Sequence, residues 1–179
     1  MGAVSGSVAM TATFSDYVTA GQISPQTLTQ AIGAAGTPQA KVTYANGTGA
    51  GLCDLAYALP VALVASTPQT FDLTSGLTGI GGEALNFARV REFIVYNPDT
   101  TAGHDVGVYH GASNGWAALP ASGNPLYARA GGGSIRISDP QSTGGGNGNV
   151  TGGASKTFTV DPGSNNVTVY VLIAGGSVA

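Results

Sequence analysis

The sequence predicts an all-β fold: an antiparallel β-sandwich of jelly-roll type, preceded by an arm with one short helix. Three observations carry this reading. Short runs of alternating apolar and polar residues, rich in Val, Ile, Thr, Phe and Tyr, recur along the chain. Breaks built from Gly, Asn, Asp, Ser and Pro separate them, drawing on 29 glycines and 9 prolines. No regular alternation of strand and helix patterns appears, so a parallel α/β sheet is excluded.

Residues 1–39 read as an N-terminal arm and a possible attachment segment, and residues 40–179 as the sandwich domain. The segment Ser24–Ile32 predicts the one helix. Ser24 suits the cap, Pro25 the first helical position, and Gly33 or Gly36 the stop. Leu28 and Ile32, four apart, would share one face. A helix this short is unstable alone and must dock, either on its own domain or on a neighbouring subunit.

From Lys41 the pattern is β. Lys41–Tyr44 is a short run, and Asn46-Gly47 after it is a strong hairpin signal. Leu52–Leu59 resumes, Pro60 interrupts, and Val61–Ala65 continues. Gln69–Leu73 places Phe71 and Leu73 on one face. The loop from Thr74 to Glu83 contains Gly76, Gly79, Gly81 and Gly82, but no helix or Lys-Ser/Thr pair follows to make it a phosphate cradle.

The stretch Leu85–Gly111 organises the chain. It reads as a core hairpin, with Phe93-Ile94-Val95-Tyr96 in the first strand, a turn around Asn97-Pro98-Asp99, and Val106 and Val108 in the second. The first strand has a phase problem. Leu85 and Phe87 share a face, and counting on by twos reaches Arg89 and Arg91. Keeping apolar residues inside requires a one-residue shift near Ala88–Val90, hence a bulge or a break. Beyond it, Phe93–Tyr96 is apolar on both faces, so the non-core face needs a cover, from the arm or from another subunit.

Trp116–Leu119, Leu126–Ala130, Ser134–Ser138, Lys156–Val160 and Asn166–Ile173 complete the runs, with a glycine-rich tract over Gln141–Ser155. The total is about eight to ten strands at sandwich spacing. The last run is the most apolar and is expected at the centre of a sheet.

Composition narrows the function. Only 8% of residues are charged and the net charge is −3. The six Lys and Arg residues are scattered, against about six to ten phosphates neutralised by a typical duplex-binding protein, so nucleic acid is excluded as the main partner. No apolar stretch reaches the roughly 18–20 residues of a membrane helix, and the opening lacks the positive region of a signal peptide. A soluble chain made in a cytoplasm is expected. Cys53 is the sole cysteine and reads as a small buried hydrophobe.

Chemistry is hard to find. His104 and His110 share the parity of Val106 and Val108 without a third ligand nearby, so hydrogen-bonded, partly buried histidines are expected. No GxSxG elbow, DxDxDG loop or obvious carboxylate pair is present. No catalytic residue, cofactor or metal ligand is assigned, and the chain is expected not to be an enzyme. An alternative is a fibre-associated or cell-surface carbohydrate-binding module, using Trp116, Tyr109 or the loops near Gly79 and Gly144.

The stretches YANGTGAGLCDLAYALP, TFDLTSGLTGIGGEALNFARVREFIVYN, SNGWAALP, GGGSIRISDP and TFTVDPGSNNVTVYVLIAG cover most of residues 42–175. In their order of strands and turns they resemble small virion structural proteins of tailed bacteriophages. The resemblance implies a β-sandwich subunit of the particle, a capsid decoration (cement) protein or a head-vertex or tail accessory. It implies location on the virion, and as partners the major capsid protein and further copies of the chain, a trimer being favoured, with a terminal arm clasping the shell. Phe14, Tyr17, Val18 and Ile23 on the arm, with Phe93 and Tyr96 on the central strand, are the candidate partner contacts.

Overall fold

The computed structural model describes residues 8–13, 26–32, 41–47, 52–79, 82–139 and 148–177; residues 8–13, 26–32 and 41–46 are described through their backbone alone. Every regular element among them is a strand. In chain order these are β1 (Val8–Thr13), β2 (Gln26–Ile32), β3 (Lys41–Asn46), β4 (Leu52–Cys53), β5 (Leu55–Leu63), β6 (Gln69–Asp72) and β7 (Leu77–Thr78). They continue with β8 (Ala84–Leu85), β9 (Phe87–Tyr96), β10 (Val106–His110), β11 (Leu126–Ala128), β12 (Ser134–Ser138), β13 (Thr157–Asp161) and β14 (Val167–Ser177).

Eight strands make the sandwich. Sheet one runs β12-β9-β14-β5 and sheet two runs β11-β10-β13-β6, with antiparallel pairing throughout. Numbered among these eight in chain order, sheet one is first, eighth, third, sixth, and sheet two is second, seventh, fourth, fifth. That order is the jelly roll, two interleaved Greek keys. As expected, the last strand is central: β14 lies between β9 and β5.

The sheets face each other across an aromatic cluster. Phe93 of sheet one meets Phe158 of sheet two edge-on, with ring centroids 5.0 Å apart. Phe158 stacks on Phe71 at 4.8 Å, and Trp116 closes over Phe93 at 5.4 Å. Val95, Val106, Val108, Val160, Val169 and Val171 fill the space around them with no exposed surface.

The bulge expected in β9 is present twice. Along β14 the inward positions step by twos, pairing Val171 with Val95, Ile173 with Phe93, Gly175 with Val90 and Ser177 with Phe87. On β9 the matching steps are two, three and three. The register therefore slips once past Arg91 and once past Ala88, and each slip restores an apolar side chain to the core. Gly175 sits where these irregular turns of backbone crowd it: a Cβ there would lie 2.0 Å from the Arg89 carbonyl oxygen.

Several expectations need correction. Residues Gln26–Ile32 form a strand, not a helix, pairing with β1 on one side and β3 on the other; Ser24 and Pro25 lie outside the described residues. Two to three isolated helical turns are marginal. Pairing on both sides satisfies the backbone, and the β-branched Thr27, Thr29 and Ile32 favour the extended form. Asn46-Gly47 makes no hairpin, because β3 and β4 pair in parallel. Pro60 does not interrupt its run either. β5 continues through it, opposite Tyr170, and an edge strand tolerates a residue with no N–H to donate. Trp116–Leu119 forms a turn, not a strand.

The largest correction concerns the supposed hairpin. β9 and β10 lie in different sheets and do not pair. The connection between them crosses the sandwich, and Asn97 holds the crossing. Its fully buried amide donates to the carbonyls of His104 (2.8 Å) and Ala128 (3.1 Å), and its Oδ1 accepts the Asp99 N–H at 3.1 Å. A buried amide with its donors satisfied can anchor a loop that spans two layers.

Candidate functional site

Strand register lays out the outer face of sheet one as rows running across four strands. At one end lies Ser138–Glu92–Ala174–Ala56, in the middle Arg136–Ile94–Leu172–Ala58, and at the other end Ser134–Tyr96–Tyr170–Pro60. Neither sheet of the sandwich faces these rows, yet their exposure differs sharply. Glu92 and Ile94 are 2% exposed and Ala56 is 4% exposed. Tyr170 is 44% exposed, and Pro60 beside it is open.

The dry end is fastened by β4. Arg91, fully buried at its bulge, donates through Nε to the Leu52 carbonyl oxygen. Cys53 packs against Ala174, and the Asp54 N–H donates to the Gly175 carbonyl at 3.1 Å. The Asp54 carboxylate accepts both the N–H and the hydroxyl of Ser177. Burial pushes the Cys53 thiol up to about 12, against a smaller opposing pull from the Arg91 charge. At neutral pH Cys53 is an un-ionised apolar group, in keeping with its expected role.

Glu92 is the buried carboxylate here, beside the fully buried Arg91. Arg136 grips it through two bonds, Nε to Oε2 and Nη2 to Oε1, both 3.0 Å, and the Ser138 hydroxyl donates to Oε1. A carboxylate out of water is tolerable only with such a fork and its remaining lone pairs occupied.

At the open end the Tyr96 and Tyr170 rings sit 6.3 Å apart, tilted by 33°. Ala56, Ala58, Pro60 and Ala62 give β5 a shallow outer surface, and beyond it Val64 is exposed at the end of the strand. This half of the face presents aromatic, aliphatic and hydroxyl groups without an ionised side chain.

Of the candidate contacts, Tyr96 lies on this face, half-buried. Phe93 does not: its side chain points into the core between Trp116 and Phe158 and has no exposed surface, so it offers nothing to a partner. Phe14, Tyr17, Val18 and Ile23 lie outside the described residues. The sequence reading missed Tyr170, Glu92 and Arg136. The signal for Tyr170 was available in the alternation of β14, whose apolar Val positions leave Tyr170 and Leu172 on the opposite face.

The other chemistry-bearing residues are taken up in local bonds. His104 Nδ1 lies 2.8 Å from Asp99 Oδ2, and His110 Nδ1 lies 2.8 Å from the Gly111 carbonyl oxygen. The Thr101 N–H, then His104, hold the Asp99 carboxyl down at about 2. Arg129 pairs with Asp105 and stacks over Tyr127. Lys156 pairs with Asp72 at 2.6 Å. Burial alone would raise the Asp72 carboxyl, but bonds from Lys156 and Thr74 outweigh it and bring it below the ordinary value. Among the described residues, no three His, Cys, Asp or Glu side chains converge as metal ligands would.

The aromatic platform suggested for a carbohydrate does not form as expected. Trp116 is fully buried, and the Tyr109 hydroxyl is turned to Asp161 at 3.3 Å. The loop at Gly144 lies outside the described residues. No protein-family model, curated protein or solved structure matches this chain.

Proposed function

We propose that this chain is a non-enzymatic structural subunit of a tailed-bacteriophage particle, decorating the capsid and stabilising it. The observation that carries the reading is the open end of the outer face of sheet one: among the described residues it shows no ionised side chain in the row Ser134–Tyr96–Tyr170–Pro60, and it bears the exposed Tyr170 beside Tyr96. Tyr is enriched at protein interfaces, where charge is depleted. The low charge of the chain and its phage-like order of strands and turns support the same assignment. The partners are the major capsid protein and copies of the chain itself, as a trimer, on a virion assembled in the host cytoplasm.

The action is mechanical. Each contact removes apolar area from water at about 25 cal/mol per Å2, and a standard interface buries about 1,600 Å2 in total. Cross-links of this kind raise the free energy needed to separate shell subunits. Arg129, Arg136 and Lys156 are bonded to acids of their own chain, so attachment should depend little on salt.

The test is to purify particles, measure their content of this chain, strip it and heat them. Stripped particles should open at a lower temperature, and added protein should restore the loss. Tyr170→Asp should restore little, because a charge would enter a desolvated contact. Absence from purified particles, or unchanged heat resistance after stripping, would overturn the assignment.

A further inference from the structure

We propose that Pro60 guards the free edge of β5, keeping it from pairing with the same edge of a second copy of the chain. The two four-stranded sheets of the sandwich have four edge strands, β12 and β5 in sheet one and β11 and β6 in sheet two. An edge strand presents unpaired N–H and C=O groups, and folds blunt such edges with short strands, charge or proline. β11 has three residues and β6 has four. β12 carries Arg136 at its centre. β5 has none of these protections apart from Pro60.

Length and composition make β5 the edge most open to pairing. It spans nine residues, Leu55–Leu63, and the run Leu55–Ala65 contains no charged side chain. One side pairs with β14; among the described residues no strand pairs with the other. The half beyond Ala58 faces water. Leu59 is 38% exposed and Val64 62% exposed, and Pro60 and Ala62 are exposed between them. A long, apolar, uncharged edge is a template for another strand.

The register shows which way Pro60 points. In an antiparallel ladder both backbone polar groups of a residue face the same side, and successive residues alternate sides. The register with β14 runs unbroken from Leu63–Val167 to Leu55–Gly175, with Pro60 opposite Tyr170. A proline turned towards β14 would interrupt it, because the ring replaces the N–H that the ladder needs. The nitrogen of Pro60 therefore faces the free edge, as do the backbone groups of Ala58 and Ala62. An approaching strand meets the ring midway along the open half and finds no donor there, while β14 loses nothing. The proline leaves the fold intact and closes one surface to self-association.

The test compares the full wild-type chain with Pro60→Thr by sedimentation velocity over a concentration series. Two β5 edges pair about a two-fold axis, so the substitution restores two N–H donors per pair. Self-association beyond that of wild type should tighten at least about tenfold. Amide exchange at Ala58 and Ala62 should slow in the associated form. Ala62→Thr adds the same side chain and keeps Pro60, and should leave association at the wild-type level. Pro60→Thr combined with Ala62→Pro moves the ring to the next edge-facing position and should also return association to that level. If circular dichroism shows Pro60→Thr to be unfolded, Pro60→Ser is the replacement.

Wild-type association in both Pro60→Thr and Pro60→Ser would overturn the proposal, and so would equal association in Ala62→Thr. An amide at position 60 that is protected from exchange in the monomer would also overturn it, because it would place the nitrogen against β14. Slowed exchange at Ala58 and Ala62 when wild type itself associates would do the same, since the edge would then already accept a second copy. None of these readouts depends on whether the chain resides on a particle.

Discussion

The two faces of sheet one share a backbone and differ in almost everything else. The inner face is apolar along its centre, is enclosed by sheet two and contains no charge. The outer face carries a buried ion pair at one end and an exposed tyrosine pair at the other. The difference shows that burial in this fold follows what packs against a residue, not how apolar that residue is. Glu92 is as buried as Ile94, while the more apolar row around Tyr170 is open. The inner face serves stability, while the outer face separates its buried ion pair from its exposed tyrosine.

The comparison breaks most readily on the inner face. Phe93→Ala removes a ring enclosed by Trp116 and Phe158 and should cost about 3–5 kcal/mol in chemical denaturation. A loss below about 1 kcal/mol would mean that the inner face is not the continuous core described.

The ion pair comes next. Arg136→Ala removes the guanidinium fork from the Glu92 carboxylate, leaving it the Ser138 hydroxyl, and should cost about 2–3 kcal/mol. That is less than the 3–5 kcal/mol of a wholly buried pair, because the Arg136 side chain is 23% exposed. A double-mutant cycle of Arg136→Ala with Glu92→Gln should recover most of the loss, because the neutral amide needs no counter-charge. Strict additivity would show that the two side chains do not interact.

A smaller effect is expected at the open end. Tyr170→Ala should change folding stability by less than about 1 kcal/mol while weakening attachment to particles. A large folding loss with normal attachment would reverse the roles assigned to the two faces.

The pH dependence of the crossing loop is the finest test. The folded-state Asp99 carboxyl sits near 2, below its unfolded value. Its contribution is therefore complete above the unfolded carboxylate range near 4 and fades as pH falls towards 2. Asp99→Asn should flatten the stability profile of the chain in that acid window. Identical slopes in wild type and variant between pH 4 and 2 would remove Asp99 from the loop's energetics.

Much of the fold was legible from residue periodicity. Strand alternation in Gln69–Leu73, Ser134–Ser138 and Val167–Ile173 identified the elements. The impossible phase of Arg89 and Arg91 identified a bulge, because side-chain alternation in a strand admits no gradual correction. The candidate surface was legible only in part. Tyr96 was recognisable as lying on a second apolar face, but Phe93 was assigned to contacts when its parity belonged to the core. With apolar residues on both sides of Phe93–Tyr96, alternation shows that two faces exist without saying which is inner.

By itself the sequence determined that the sandwich domain is β, where strands such as Gln69–Asp72, Ser134–Ser138 and Val167–Ile173 run, and that one strand must slip register, because these follow from local backbone preference and a period of two. Only the tertiary structure decided that β9 and β10 join different sheets, that Gln26–Ile32 is extended, and that Glu92 is dry while Tyr170 is wet. Those outcomes depend on which segments, distant in the chain, lie side by side. Neither Asn97, bonded across to the Ala128 carbonyl, nor Leu52, whose carbonyl receives Arg91, carries any mark of its partner in its own neighbourhood of the chain.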